Sequence, residues 1–213
     1  TIYCFYEDGA ENGMHISVVK QTKTNTIVTL LRAMAKYGTI ADLYFNYDGT
    51  TPISAVDHTP DYPEVTRDML GDASDTTKTT DLSAYGLSYY GSSMLLNSGT
   101  VLRHYYKLVD ADLFSAVADD ITFGGKACTA QVYYNGDAPT NYIYFDYSIP
   151  AAELDSVQTL KVGSANVNFS TYDYIRRALD KRDEDESEDN QALVDLMTSL
   201  YWYNVFADIY FAD

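Results

Sequence analysis

The stretch IVTLLRAMAKYGTIADLYF at residues 27–45 returns near the other end of the chain as LVDLMTSLYWYNVFADIYF at residues 193–211. A shift of 166 positions superposes the two without a gap. Val28/Val194, Leu30/Leu196, Tyr37/Tyr203, Ala41/Ala207, Asp42/Asp208, Tyr44/Tyr210 and Phe45/Phe211 are identical, while Ile27/Leu193, Leu31/Met197, Met34/Leu200 and Leu43/Ile209 keep size and polarity. The shared apolar positions recur at i, i+3, i+4 and i+7, which places them on one face of an α-helix. The chain is therefore expected to carry the same amphipathic helix twice, each with an apolar face that must be covered. On this reading Leu30, Leu31, Met34, Leu196, Met197 and Leu200 are almost fully buried.

The remaining segments are read against these two helices. Residues 1–19 alternate as a β-hairpin around the turn chemistry of EDGAENG, and Thr24, Asn25 and Thr26 offer N-caps for the first helix. Residues 49–81 lack periodicity and are punctuated by Pro52, Pro60 and Pro63, which suits a linker or a surface strap. Seven strand-like runs follow: Leu87–Leu96, Thr100–Val109, Ile121–Phe123, Ala127–Tyr134, Asn141–Tyr147, Thr159–Val162 and Val167–Phe169. Turn residues separate them at the spacing of an antiparallel sandwich. Ala111–Asp119 reads as a short helix or loop between strands. Ser170 to Asp173 has the form of a capping box with Asp in place of Glu, and Asn190 is placed to cap the last helix. Strand, turn, strand and helix thus occur at 1–46 and again at 159–211. Residues 1–48 resemble the tail of one unit set before a full unit at 82–213, the two packed as one body. The expected fold class is α+β, an antiparallel β-sandwich with two long repeated amphipathic helices packed against it.

Charge narrows the function classes. The chain has 31 carboxylates against 14 Lys and Arg, a net charge of -17. That balance disfavours a nucleic-acid backbone and an anionic lipid surface as partners. No apolar run reaches the length of a membrane span. A start at Thr1 suggests a piece of a longer protein. Tyrosine is over-represented, 21 of 213 residues, a profile common among secreted all-β modules. Cys4 and Cys128 either pair or stand as buried thiols. The free state is expected, because a chain of this size has core enough without a staple. The run DEDESED at 183–189 lacks the glycine and alternating ligands of a calcium loop and reads as solvated surface.

The phrase LLRAMAKYGTIADLYFNYD resembles a segment that recurs in large secreted proteins of gut and rumen Firmicutes, with Leu31, Ala33, Met34, Tyr37, Gly38, Ala41, Tyr44, Phe45, Tyr47 and Asp48 on the pattern. LSYYGSSMLLNSGTVLRHYYKL at 87–108 is similar to the opening strands of that unit, and Tyr172 to Ile175 to the short helix after its last strand. Trp202 and Asn204 depart from the pattern. The resemblance implies a repeated module of secreted or cell-surface, often dockerin-bearing proteins of fibre-degrading bacteria. There it lies beside carbohydrate-active modules and is associated with cellulosomes and adhesion to cellulose.

Signatures of catalysis and metal binding are missing. His15, His58 and His104 are far apart, and HxxxH, HExxH, CxxC, GxSxG and GxGxxG do not occur. No catalytic residue, metal site or cofactor is expected, and no two carboxylates stand out as a glycosidase pair. A binding face is easier to place. If Ala127–Tyr134 and Asn141–Tyr147 pair with Tyr133 opposite Tyr144, then Val132, Tyr134, Ile143 and Phe145 turn to the core. Gln131, Tyr133, Tyr142, Tyr144 and Asp146 then share the other face. Rings stack on the apolar side of a pyranose, while amide and carboxylate bond its hydroxyls. Tyr201 and Trp202, off the helix stripe, are a second aromatic candidate. The expectation is a non-catalytic carbohydrate-binding module of a secreted bacterial surface protein, binding cellulose or a related plant cell-wall β-glucan through exposed tyrosines. The other expectation is a structural spacer or protein-interaction module with no ligand of its own. Its partners are then other modules of the same protein.

Overall fold

The computed structural model describes residues 11–45, 61–96 and 99–212, with side chains of the first helix from Asn25 onward. Helix α1 is Glu11–Phe45. After 3-10 turns at Arg67–Leu70 and Ser83–Tyr85 come β1 (Leu87–Leu95), β2 (Thr100–Leu108) and the short helix α2 (Ala111–Ser115). A 3-10 turn at Ala118–Asp120 leads to β3 (Thr122–Phe123), β4 (Lys126–Ala127), β5 (Gln131–Asn135) and β6 (Ala138–Ile149). A last 3-10 turn, Ala151–Glu153, precedes β7 (Gln158–Val162), β8 (Ala165–Phe169), α3 (Thr171–Glu184) and α4 (Glu188–Phe211). The architecture is α+β, with two antiparallel four-stranded sheets ordered β1-β2-β6-β5 and β4-β3-β7-β8. The expected run Ala127–Tyr134 divides, since residues 128–130 carry the chain from one sheet to the other.

Period-2 alternation explains how the sheets meet. Ile143, Phe145, Tyr147 and Ile149 of β6 are buried, as are Leu102, His104 and Tyr106 of β2. The second sheet answers with Phe123, Leu160, Val162, Val167 and Phe169. The His104 ring stacks on Phe123 at 5.1 Å and meets Phe169 edge-on at 5.1 Å, so the two inner faces share one core. Each such side chain contributes roughly 1.5–3 kcal/mol by leaving water.

The capping box at α3 is present. Ser170 Oγ accepts from Asp173 N, and the Asp173 carboxylate accepts from Ser170 N at 2.9 Å. The same carboxylate accepts from Ser74 N at 2.9 Å and from Ser74 Oγ, which ties residues 61–81 to the helix start. That segment is a strap held by side chains. Thr76 N donates to Asn168 O at 3.0 Å, Asn168 N donates to Thr76 Oγ1 at 2.8 Å, and Arg177 grips Asp75. Asp, Ser and Thr supply the backbone partners that a sequence without periodicity cannot find in a ladder.

α1 and α4 pack on one another, with Tyr37 stacked on Tyr203 at 5.7 Å between ring centroids. Burial and, second, the Asp189 carboxylate raise the Tyr44 phenol above its usual range, so the end of α1 lies near the start of α4. Only an antiparallel course allows this, because a parallel one would separate Tyr44 from Asp189 by about 30 Å at 1.5 Å per residue. The middle of α4 is covered all round. Val194, Asp195, Leu196, Met197, Thr198, Ser199 and Leu200 are buried in unbroken succession, the pattern of a central helix.

Several expectations are corrected. Residues 11–19 are helical, so Met14–Val18 is not a hairpin arm; the other arm lies outside the described residues. A helix satisfies its own backbone and needs no partner strand. The helix runs through Thr24–Thr26 without a cap. Leu31 and Met34 are 49% and 44% exposed, because α1 packs against α4 with one side only. Leu30, Leu196, Met197 and Leu200 are buried as expected. Ser187, not Asn190, caps α4, accepting from Asn190 N. The acidic run is spread over two helix ends, with residues 185–187 between them. Glu188 and Asp189 sit in the first turn of α4, where the helix dipole favours negative charge.

Candidate functional site: the outer tyrosine face

The parity that buries one side of β2 and β6 turns Arg103, Tyr105 and Lys107 of β2 and Tyr142, Tyr144 and Asp146 of β6 to the other side. The register sets Arg103 opposite Asp146, Tyr105 opposite Tyr144, and Lys107 opposite Tyr142. Arg103 donates from Nε to Asp146 Oδ1 and from Nη2 to Oδ2, both at 2.7 Å. This two-point bond to Asp146 is the main reason its guanidinium is held above the usual arginine range. The same guanidinium lies 3.7 Å from the centroid of the Tyr144 ring, a cation-π contact that covers one face of it.

β5 differs from expectation. Gln131, not Tyr133, faces Tyr144, and Val132 faces Ile143. An irregularity between Val132 and Tyr134 then breaks the ladder. All five residues of β5 are exposed, Val132 and Tyr134 included, so the expected core positions Val132 and Tyr134 are surface. The reason is position, since β5 is a sheet edge with no strand beyond it among the described residues.

Of the five residues singled out in the sequence, Tyr142, Tyr144 and Asp146 share the outer face of the central strand β6. Tyr133 and Gln131 come to the same side from the edge. Tyr133, 43% exposed, meets Tyr105 edge-on at 5.8 Å and 86°. Tyr105 in turn is tilted 52° to Tyr144. Tyr90, 68% exposed, leans on Tyr142 at 4.6 Å and 56°. These rings form an inclined, corrugated row. Among the described residues no helix covers Tyr90 or Tyr133.

Tyr105 and Arg103 were within reach of sequence reasoning, as the odd-numbered residues of TVLRHYYKL at 100–108. Tyr90 follows from the same alternation, opposite in side to Leu87 and Tyr89; a register shift between Tyr89 and Gly91 then turns Ser92 and Met94 inward.

Two other places were weighed. Tyr201 packs on Tyr172 at 5.3 Å, and Trp202 Nε1 donates to Pro63 O at 2.9 Å while its ring lies on Tyr62 and Phe206. Both are structural ties between α4 and its neighbours. Behind β1, Ser92 Oγ and His104 Nδ1 are 2.6 Å apart, and Tyr89 and Arg177 extend the chain to Asp75. Burial depresses His104 to about 3, and its Nε2 has no partner among the described residues. The imidazole lacks the carboxylate partner that orients the base in a Ser-His-Asp arrangement. Cys128 is a free, half-buried thiol, raised by burial, and Cys4 lies outside the described residues. Among the described residues no group of three or more His, Cys, Asp or Glu is placed to hold a metal ion, and no helix is long and apolar enough to cross a membrane. No protein-family model, curated protein or solved structure matches the chain.

Proposed function

We propose that this chain is a non-catalytic carbohydrate-binding module of a secreted bacterial surface protein, taking cellulose or a related plant cell-wall β-glucan on the outer face of the β1-β2-β6-β5 sheet. In this reading the two sheets are the layers of an antiparallel sandwich closed on one side by the paired repeated helices. The observation that carries it is the gathering of Tyr90, Tyr105, Tyr133, Tyr142 and Tyr144 from four strands onto one face, around the Arg103–Asp146 pair. Rings offer stacking to sugar C–H groups, and Gln131, Asp146 and the phenols offer hydrogen bonds to hydroxyls. The carboxylate count then matters little, since the ligand is neutral.

The test is retention on insoluble cellulose together with retardation in gels containing soluble β-glucans, beside an assay for reducing-sugar release. Retention without sugar release is the expected result. Release of sugar would make the chain a hydrolase. The absence of retention on any polysaccharide would leave the spacer or protein-interaction reading, which the uncovered apolar side of α1 favours.

A further inference from the structure

The repeat shows what covers this kind of helix. In α4 the positions Val194, Met197 and Leu200 are at most 1% exposed. Their counterparts 166 residues earlier, Val28, Leu31 and Met34, are 39%, 49% and 44% exposed. Two further pairs on this side behave alike. Asn204 is buried, donating from Nδ2 to Ala151 O at 2.8 Å and accepting from Tyr172 Oη at 2.8 Å, while its counterpart Gly38 is exposed. Thr198, which accepts from Val65 N, is buried, while its counterpart Arg32 is exposed. One side of the repeated helix is thus sealed in α4 by α3, the Ala151–Glu153 turn and the strap. The same side of α1 is open, and it is continuous with the α1–α4 interface.

We infer that the open side of α1, centred on Val28, Leu31 and Met34, is the seat of a second unit of the kind formed here by residues 61–187, which would use α1 as its closing helix as this unit uses α4. Charge agrees with that occupant. Residues 11–45 carry Lys20, Lys23, Arg32 and Lys36 against Glu11 and Asp42, whereas residues 61–187 carry 10 Lys and Arg against 20 Asp and Glu. α1 already lies on a helix of its own kind that has four carboxylates and no cation. Ala35 and Gly38, where α4 has Tyr201 and Asn204, leave the seat shallower and let the second unit approach closely; no atom lies within 4 Å of where a Gly38 Cβ would be. The inference does not depend on sugar binding, because the tyrosine face is on the sheet and not on α1.

The test joins a second copy of residues 61–187 ahead of Thr22, in place of residues 1–21, which keeps the register of 166. Single cysteines at positions 31 and 197 (Leu31→Cys, Met197→Cys) are placed in a Cys4→Ser, Cys128→Ser background, and thiol labelling rates are read. In the original chain position 31 should label freely and position 197 slowly. In the joined chain labelling at 31 should slow by more than tenfold, with one cooperative melting transition for both units. Met34→Asp in the joined chain should restore fast labelling at 31 and melt the added unit alone. Unchanged labelling at 31, whether the added unit is folded or not, overturns the proposal. So does protection at 31 that Met34→Asp does not reverse.

Discussion

Tyr37 and Tyr203 occupy the same position in the two copies of the repeat and stack on each other, 14° between planes, where the antiparallel helices meet. The next equivalent pair behaves likewise: Lys36 reaches Asp61, at 3.4 Å, and Trp202 reaches Pro63, so both helices hold one strap. Tyr37→Ala should cost about 2–3 kcal/mol and Tyr37→Phe under about 1 kcal/mol, since the ring and not the hydroxyl does the packing. Burial and the neighbouring Tyr203 push the Tyr37 phenol up to about 12. Its neutral form is therefore favoured by folding. The contribution is intact below pH 10 and is lost as pH rises from 10 towards 12, at roughly 1.4 kcal/mol per unit. Urea melts of wild type and Tyr37→Phe should run together at pH 9 and separate at pH 11, wild type losing more.

Leu196 and Leu31 test what the repeat alone implies. Leu196→Asp buries an unpaired charge and should unfold the chain, by several kcal/mol. Leu31→Asp in the same chain should shift stability by less than about 0.5 kcal/mol, as for other surface changes. Circular dichroism melts of the two variants decide this, and equal destabilisation would place α1 differently.

His104 makes an acid prediction. Held near 3 by burial in the fold against about 6.5 when unfolded, it takes a proton first in the unfolded state. Stability should be level above pH 6.5 and fall below it, by about 3 kcal/mol at pH 4 from this group alone. Denaturant midpoints from pH 7 to 4, compared with His104→Phe, measure it: the variant should lose the part of the slope that is due to the imidazole.

Asp173 is the acid of the capping box and also the anchor of the strap. Asp173→Ala leaves Ser74 N and Ser170 N without their acceptor and should cost about 2–4 kcal/mol. Hydrogen exchange should report it at Ser74 and Thr76 as well as at the start of α3. Loss confined to α3 would mean that the strap is held by its other ties, Arg177 to Asp75 and Thr76 to Asn168, without Asp173.

On the tyrosine face, Tyr133→Ala and Tyr90→Ala should each weaken glucan binding about tenfold, near 1.4 kcal/mol, at unchanged melting temperature. Tyr144→Ala should do less, because Arg103 covers one side of that ring. Affinity gels in 20 and 500 mM salt should agree, since the ligand is neutral. Steep salt dependence would point to a cationic protein partner.

What the sequence determined by itself is whatever depends on spacing and local hydrogen bonding. The alternation in TVLRHYYKL and NYIYFDY set which side chains of β2 and β6 face the core. Ser170 and Asp173 marked the start of α3, and the shift of 166 identified two related helices. Only the tertiary structure decided the rest, because burial depends on what the chain brings against a surface. Leu31 and Met197 share a pattern position, yet one is open and the other sealed, for α3, the Ala151–Glu153 turn and the strap lie over that side of α4 and not over the matching side of α1. Ser92 and Met94 came to face the core through a shift in β1 that no period-2 reading contains. Val132 and Tyr134 left the core because β5 ended up at a sheet edge. Periodicity states which residues lie together on a face, and contact with the remaining chain states whether that face meets protein or water.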